Sequence, residues 1–387
     1  MKRSSIAVAA LGMVAGVAHA QSSVTLYGII DTGVAFTNNS QGGQLYTAAQ
    51  STIQGSRWGF RGAEDLGGGL HAVFVLENGF NPATGKLGQG GDMFGRQAFV
   101  GIKSDSLGTV TLGRQYDSSC DYVGPFEVGN QWAMVYGAHP GDLDNLNLSN
   151  RVNNSVKYTS PSYGGFSFGG LYSVGGVAGQ FAQNQIWSVG AGYNDGPMKL
   201  GVAYVNLRNP NFSFFGNTPA SSATGNNMSS SQVYSGFASA ESMEVISAGG
   251  AYTLGAATIG ATYSNTQFKG LGQTVVAGLP SGSPLSGTAK FNNAELSIGY
   301  KLSPALLIGI AYDYTKGYSV SNETIHQGMI GADYFLSART DVYAAGVFQH
   351  ALGENSIGQP ATAQFNGSAP SSTQNQIIAA VGIRHKF

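Results

Sequence analysis

The feature that most constrains this chain is an apolar/polar alternation with a period of two, repeated along nearly its whole length. Residues 291–316, FNNAELSIGYKLSPALLIGIAYDYTK, show it plainly. Ala294, Leu296, Ile298 and Tyr300 share one face, with Asn293, Glu295, Ser297 and Lys301 opposite, before a Ser303-Pro304 turn. Leu306, Ile308, Ile310, Tyr312 and Tyr314 then rebuild the apolar face, opposite Gly309, Ala311 and Asp313. Side chains of an extended backbone point alternately to its two sides, so this is a β-hairpin with one apolar face and one polar or small face.

The same unit recurs to give sixteen candidate strands, at 23–36, 55–64, 69–80, 94–104, 109–117, 150–160, 164–174, 185–194, 198–208, 243–253, 256–267, 291–302, 305–316, 325–336, 340–350 and 376–387. Short connections (65–68, 105–108, 194–197, 303–304, 337–339) take turns with long ones rich in Ser, Asn, Gly and Thr, the longest being 209–242, 268–290 and 351–375. About eight strands already close a barrel that side chains can fill. Sixteen enclose too wide a space, so the polar and small faces are expected to line water and the apolar faces to look outward. Strands of about ten residues fit the hydrocarbon thickness of an outer membrane. The expected fold is therefore an all-β, 16-stranded antiparallel transmembrane barrel. An open edge in lipid would leave backbone N–H and C=O groups unpaired, so the first strand must meet the last. Ile377, Ala379, Val381, Ile383, His385 and Phe387 share one face of that last strand, and no C-terminal tail is expected beyond it.

The N-terminus reads as a cleaved signal peptide over residues 1–20: Lys2 and Arg3, an apolar run from Ile6 to Val17, then Ala18-His19-Ala20. The barrel domain is expected over 21–387. Removing Lys2 and Arg3 from 19 basic residues leaves 17 against 20 acidic ones, a formal charge of −3, which gives no reason to expect a nucleic-acid partner. With 58 glycines the chain could be disordered, but 20 phenylalanines and 19 tyrosines argue against that. Cys120 is the only cysteine and reads as a quiet, partly buried thiol. Five histidines besides His19 show no metal-ligand spacing, and Asp142 and Asp144 lack the Gly and Glu of a calcium loop. No cofactor or metal is expected. A hydrolase using His71, His326 or His350 with nearby serines has only sequence proximity behind it.

Several short stretches resemble the trimeric general porins of Gram-negative outer membranes, especially the beta-proteobacterial subgroup. They are Val24-Thr25-Leu26-Tyr27-Gly28 with Asp31, Ser56-Arg57-Trp58-Gly59-Phe60-Arg61-Gly62 with Glu64-Asp65-Leu66-Gly67, and Gly95-Arg96-Gln97-Ala98-Phe99-Val100-Gly101. Gly113-Arg114-Gln115-Tyr116, Asn154-Ser155-Val156-Lys157-Tyr158 and the closing Val381-Gly382-Ile383-Arg384-His385-Lys386-Phe387 continue the series. The resemblance implies a homotrimer in outer-membrane lipid, with short periplasmic turns and long extracellular loops, through which small hydrophilic solutes and ions diffuse passively. It also implies that Phe387, with Ile383 and His385, forms the signal read by the barrel-assembly machinery, His385 standing where an aromatic is usual.

The same resemblance implies a third long loop, about 118–149, folded into the barrel and carrying Asp121, Glu127, Asp142 and Asp144. Facing it would stand arginines of the inner wall: Arg57 and Arg61 on the second strand, Arg96 on the fourth, Arg114 on the fifth and Arg151 at the start of the sixth, joined by Glu77 of the third. Parity supports the first two, because Arg57, Gly59 and Arg61 alternate with Trp58 and Phe60. Of the loop acids, Asp121 and Glu127 are the candidates to oppose the arginines. Guanidinium stays charged at any working pH, so such a set would hold a transverse field across a narrow water path. The plainer alternatives are solvated lumen residues or salt bridges that stiffen the wall. A substrate-specific channel or a membrane-embedded enzyme are the rival functions.

Overall fold

The computed structural model describes residues 23–50, 52–216 and 225–387; the expected signal peptide, residues 1–20, lies outside the described residues. Seventeen strands follow in chain order: β1 (Ser23–Ser40), β2 (Gly43–Gln50), β3 (Arg57–Gly67), β4 (Leu70–Gly79), β5 (Gln97–Ser104), β6 (Gly108–Gln115), β7 (Val152–Thr159), β8 (Phe166–Ser173), β9 (Ile186–Asp195), β10 (Met198–Arg208), β11 (Ser242–Leu254), β12 (Ala257–Lys269), β13 (Ala289–Ser303), β14 (Leu306–Ser319), β15 (Thr324–Phe335), β16 (Thr340–Leu352) and β17 (Asn375–Lys386). Every pairing is antiparallel, and each strand from β3 to β17 pairs with the next. The ring closes because β1 takes β3 on one edge, from Ser23↔Ala63 to Ile29↔Arg57, and β17 on the other, from Ile29↔Lys386 to Thr37↔Ile378. Sixteen strands thus form a closed barrel with no free edge in its wall, as lipid requires.

The seventeenth strand, β2, lies where the sequence suggested only loop. β1 continues past its contact with β3, and Gln41 (φ 55°) and Gly42 (φ 98°) turn the chain back so that β2 covers the exposed edge, Thr32↔Gln50 to Ser40↔Gly43. The step from β2 to β3 is fixed by one buried carboxylate. Asp31 accepts the backbone N–H groups of Thr52, Ile53 and Gln54 at 3.2, 2.9 and 2.8 Å and the Tyr343 hydroxyl at 2.5 Å. An acid meeting that many donors needs no cation beside it.

The outward rows carry the apolar residues expected of them: Ile310, Ile330 and Val381 stay 60, 65 and 53% exposed in the single chain. Among the described residues no helix is long and apolar enough to cross a membrane, so crossing is by strands. The inward rows depart from expectation at the long-loop end. There Val205, Leu207, Met243, Val245, Phe268, Phe291 and Ile325 face in and pack against Phe214, Phe215, Met228, Tyr234 and Phe237 of the 209–241 loop. Water does not line that part of the wall, because a second loop has folded into the mouth and brought its own apolar side chains.

The 116–151 loop also enters the barrel and lies along the inner wall from β9 to β15, where glycines leave it room. A Cβ on Gly201 would overlap the backbone of Tyr122, and one on Gly309 would overlap the Trp132 ring. Trp132 then packs with Val128, Ala133 and Met134 against Ala311, Met329 and Ala345 of the wall.

Phe387 completes the seam between β1 and β17, its N–H and C=O exchanging bonds with Gly28 at 3.1 and 3.0 Å. Its ring lies where a side chain at position 28 would sit. Ile383 and His385 face outward beside it, His385 bonded through Nδ1 to the Thr340 hydroxyl at 2.8 Å. Gly28→Val is expected to unseat that ring and lower the yield of folded, heat-modifiable barrel in refolding gels, while Gly346→Ala, where no wall atom lies closer than 3.8 Å, leaves it unchanged.

Candidate functional site

Four of the charged residues singled out from the sequence converge on one side of the barrel. Arg57 opens β3 on its inward row, and Glu77 lies on the inward row of β4, cross-paired with Gly59. Glu77 Oε1 accepts Arg96 Nε at 2.7 Å; its Oε2 accepts the Tyr27 hydroxyl at 2.9 Å and stands 3.7 Å from Arg57 Nε. Arg96, one residue before β5, also donates from Nη2 to the Tyr116 hydroxyl at 3.0 Å. Arg151, one residue before β7, donates to the same oxygen at 2.7 Å and to the Ser149 carbonyl at 2.8 Å. Tyr116 therefore spaces two guanidinium groups that would otherwise repel, and Arg151 Nε remains buried without a hydrogen-bond partner. Gly55 gives them room, since a Cβ there would come within 2.7 Å of Arg96 Nη1.

Between these arginines and the inserted loop lies a cavity of about 470 Å³. Arg57, Arg96, Arg151, Gln54 and Gln89 form its wall side, and Gly124, Pro125, Asn130, Asn147 and Ser149 its loop side. The loop side is neutral. Asp121 lies away from the cavity in an ion pair with Lys157, and Glu127 is fully buried inside the loop. Arg61 sits two inward positions down β3, past Gly59, exposed, with its guanidinium carbon 5.3 Å from the Tyr27 ring. Arg114 reaches three oxygens instead: the Gly95 carbonyl at 2.8 Å, Asn153 Oδ1 at 2.5 Å and the Gly216 carbonyl at 3.2 Å. A bulge explains its departure, because the β6–β7 register shifts between Gly113 and Gln115, with Gly113 at φ 142°.

What holds the loop in place was not visible in the sequence. His139 is fully buried where the loop meets β12, β13 and β14. Its Nδ1 lies 2.7 Å from Asp144 Oδ2, and its Nε2 lies 3.8 Å from both Glu295 Oε2 and Asp313 Oδ1 and 3.4 Å from the Thr262 hydroxyl. Its backbone N–H donates to Glu127 Oε1 at 3.0 Å, and Val128 N–H donates to Glu295 Oε1 at 2.9 Å. Burial alone would depress the imidazole, but Asp144 and Asp313 outweigh it and hold His139 well above its ordinary value, so it is cationic at neutral pH. Burial likewise pushes Glu127 well up, whereas at Asp144 the His139 charge and its hydrogen bonds prevail and lower the carboxyl. Asp142, buried and facing Asp144, is pushed up to about 6. Glu295 and Asp313 stood on the polar faces of adjacent strands, and two acids placed toward the interior of one hairpin were the available signal.

Cys120 is buried against Asp117 and the Asn145 carbonyl, and burial first, then Asp117, pushes its thiol well up. His71 lies 3.4 Å from Asp105 at a short turn, and His326 pairs across strands with His350. Among the described residues no three His, Cys, Asp or Glu side chains gather as metal ligands.

A family model described as Gram-negative porin matches residues 7–352. The chain belongs to the Gram-negative porin family. The outer membrane porin protein of Bordetella pertussis is 30% identical over 431 aligned residues, and outer membrane porin protein 32 of Delftia acidovorans is 30% identical over 400; both alignments cover 100% of each chain. Among solved structures, the anion-selective porin from Comamonas acidovorans superposes with a TM-score of 0.71 at 24% identity, over 95% of this chain and 100% of that one. A trimer form of the Vibrio cholerae outer membrane protein OmpT gives 0.59 at 18% identity, over 95 and 99%. These likenesses in structure concern the fold. The porin is an outer-membrane barrel whose water-filled interior lets small hydrophilic solutes and ions diffuse passively.

Removing one partner from a buried ion pair leaves the rest uncompensated, at roughly 3–5 kcal/mol. His139→Leu is therefore expected to free the inserted loop, seen as lower thermal stability of the detergent-solubilised barrel and a larger, noisier single-channel conductance. Asp121→Asn, which disturbs only the Lys157 pair, is expected to leave the melting temperature unchanged.

Proposed function

We propose that Arg57, Arg96 and Arg151, with Glu77, form the constriction of the porin, and that this constriction prefers anions. The observation that carries the reading is the charge around the 470 Å³ cavity: three guanidinium groups line its wall side, its loop side has no acids, and the one carboxylate among the arginines, Glu77, lies behind the lining. Field lines concentrate in a narrow water path with low-dielectric walls, so a surplus of fixed positive charge raises the local concentration of anions and depletes cations. Arg61, exposed below this cluster, extends the positive row toward the short-turn end. Arg114 and Glu127 act as struts, and Asp121 neutralises Lys157. The solved Comamonas porin is described as anion-selective; the proposal for this chain rests on its own charges.

The apolar outward rows around the β1–β17 seam are the surface on which copies of this chain would assemble as a homotrimer, and the trimer form of OmpT supports that state. The residues at the seam's end, Ile383, His385 and Phe387, serve assembly into the membrane. The porin is proposed to carry no catalytic chemistry.

In planar bilayers under a salt gradient, the parent porin is expected to give a reversal potential of anionic sign. Arg57→Ala combined with Arg96→Ala is expected to shift it toward cations while heat-modifiable oligomers persist. An unchanged reversal potential would remove these arginines from the constriction. Saturating conductance with one class of solute would instead favour a substrate-specific channel.

A further inference from the structure

The sequence holds two Asn-Gly pairs, Asn78-Gly79 and Asn366-Gly367, and the fold treats them in opposite ways. Asparagine amides are among the chemically labile side chains of proteins. When glycine follows, no Cβ shields the next backbone nitrogen, and that nitrogen can reach the side-chain carbonyl carbon wherever the backbone is free to bring the two together.

Asn78 has no such freedom. It is fully buried in β4, cross-paired with Trp58, with its side-chain amide donating to the Met93 carbonyl. Gly79 stands in the same ladder opposite Arg57. Asn366 lies instead in the loop between β16 and β17, at the second position of a β-turn closed by the Ser368 N–H on the Phe365 carbonyl at 3.1 Å. Gly367 follows at φ 71° and is exposed, as the third position of a type II turn allows. Its N–H, the central amide of the turn, has no hydrogen-bond partner among the described residues.

The turn is also held against the pore. The buried Phe365 ring packs edge-on to Tyr136 of the inserted loop at 6.4 Å, and Gln364 Nε2 donates to the Ser368 carbonyl at 2.9 Å. Asn366 Nδ2 then donates to the Ser149 hydroxyl at 3.2 Å. Ser149 lines the loop side of the 470 Å³ cavity, and its carbonyl accepts Arg151 at 2.8 Å.

We propose that Asn366 is a modification site, where deamidation places a carboxylate beside the loop side of the cavity and weakens its preference for anions. The Gly367 nitrogen attacks Asn366 Cγ. A C–N bond forms, the bond to Nδ2 breaks, and ammonia leaves with the glycine proton, closing a five-membered succinimide. Water opens that ring at either carbonyl to give aspartate or isoaspartate, so an amide is exchanged for a carboxylate without oxidant or reductant. The Ser149 hydroxyl, which accepts from the amide, can turn and donate to the acid in its place. A negative charge there opposes the field of Arg57, Arg96 and Arg151. This consequence for permeation rests on the constriction proposed above; the chemistry at Asn366 does not.

The test uses the refolded full-length porin in detergent, held for days in warm, mildly alkaline buffer, with heat-modifiability confirming the fold. Peptide mass spectrometry with fragmentation follows both Asn-Gly pairs, and porin unfolded in urea is the reference. In the folded porin Asn366 is expected to convert at least about tenfold faster than Asn78, whereas the two convert at similar rates in urea, because Asn78 reacts only when its strand opens. Intact Asn366 in folded porin while the unfolded chain converts would overturn the proposal, as would equal conversion at both sites in the folded porin. In planar bilayers under a salt gradient, Asn366→Asp is expected to move the reversal potential toward cations and Asn366→Gln to match the parent. An unchanged potential for Asn366→Asp against an anion-preferring parent would also overturn it. A parent without anion preference would sink the constriction reading, and with it the stated effect on permeation, while the mass spectra still decide the chemistry.

Discussion

Backbone hydrogen bonding in a medium without water is the constraint on which everything else in this protein depends. A strand placed in hydrocarbon has nowhere to send its N–H and C=O groups except to another strand, so the sheet must return to its own start. That demand explains why β1 is bonded to β3 and then β2 on one edge and, from Gly28 to Thr37, to β17 and Phe387 on the other. It also explains why the final residue is part of the seam, exchanging bonds with Gly28. Once the ring is closed, its circumference creates an interior that strand side chains cannot fill, and the loops inherit the task of shaping it.

They do so unevenly. The 116–151 loop lies on the β9–β15 wall, the 209–241 loop caps it from above, and the Phe365 ring of the 353–374 loop joins from the β16–β17 side. Glycines give the first loop its close approach, and the His139 cluster fixes it by charge rather than by apolar contact alone. One imidazolium shared among Asp144, Glu295 and Asp313 ties three separate strands or loops to a single point. The open water is thereby displaced toward β3–β7, where the arginines stand.

Much of the fold was legible in the sequence, because a period of two is a property of single strands and needs no long-range information. The hairpin at 291–316 appears with its turn at 304–305, and β17 begins within one residue of expectation. The extra strand β2 was missed because GQLYTAAQ has no two-sided burial to impose a pattern; it forms by covering a neighbour's edge. The apolar mouth was missed for a related reason. Stretches such as Val202 to Val205 are apolar on both faces, but only the folded 209–241 loop says what the inner face meets. The wall arginines Arg57, Arg96 and Arg151 could be placed by motif, and Glu77 by parity. The partners of Asp121 and Glu127 could not be, since Lys157 and His139 reach them through contacts that sequence spacing does not encode.

The three cavity arginines stand on three separate segments of backbone: the start of β3, the loop before β5 and the residue before β7. None of them lies on the β1–β17 seam, and none belongs to the His139 cluster that anchors the loop. A change at any one of these guanidinium groups therefore alters the charge of the cavity while leaving the closure of the ring and the anchor of the loop with every bond they had.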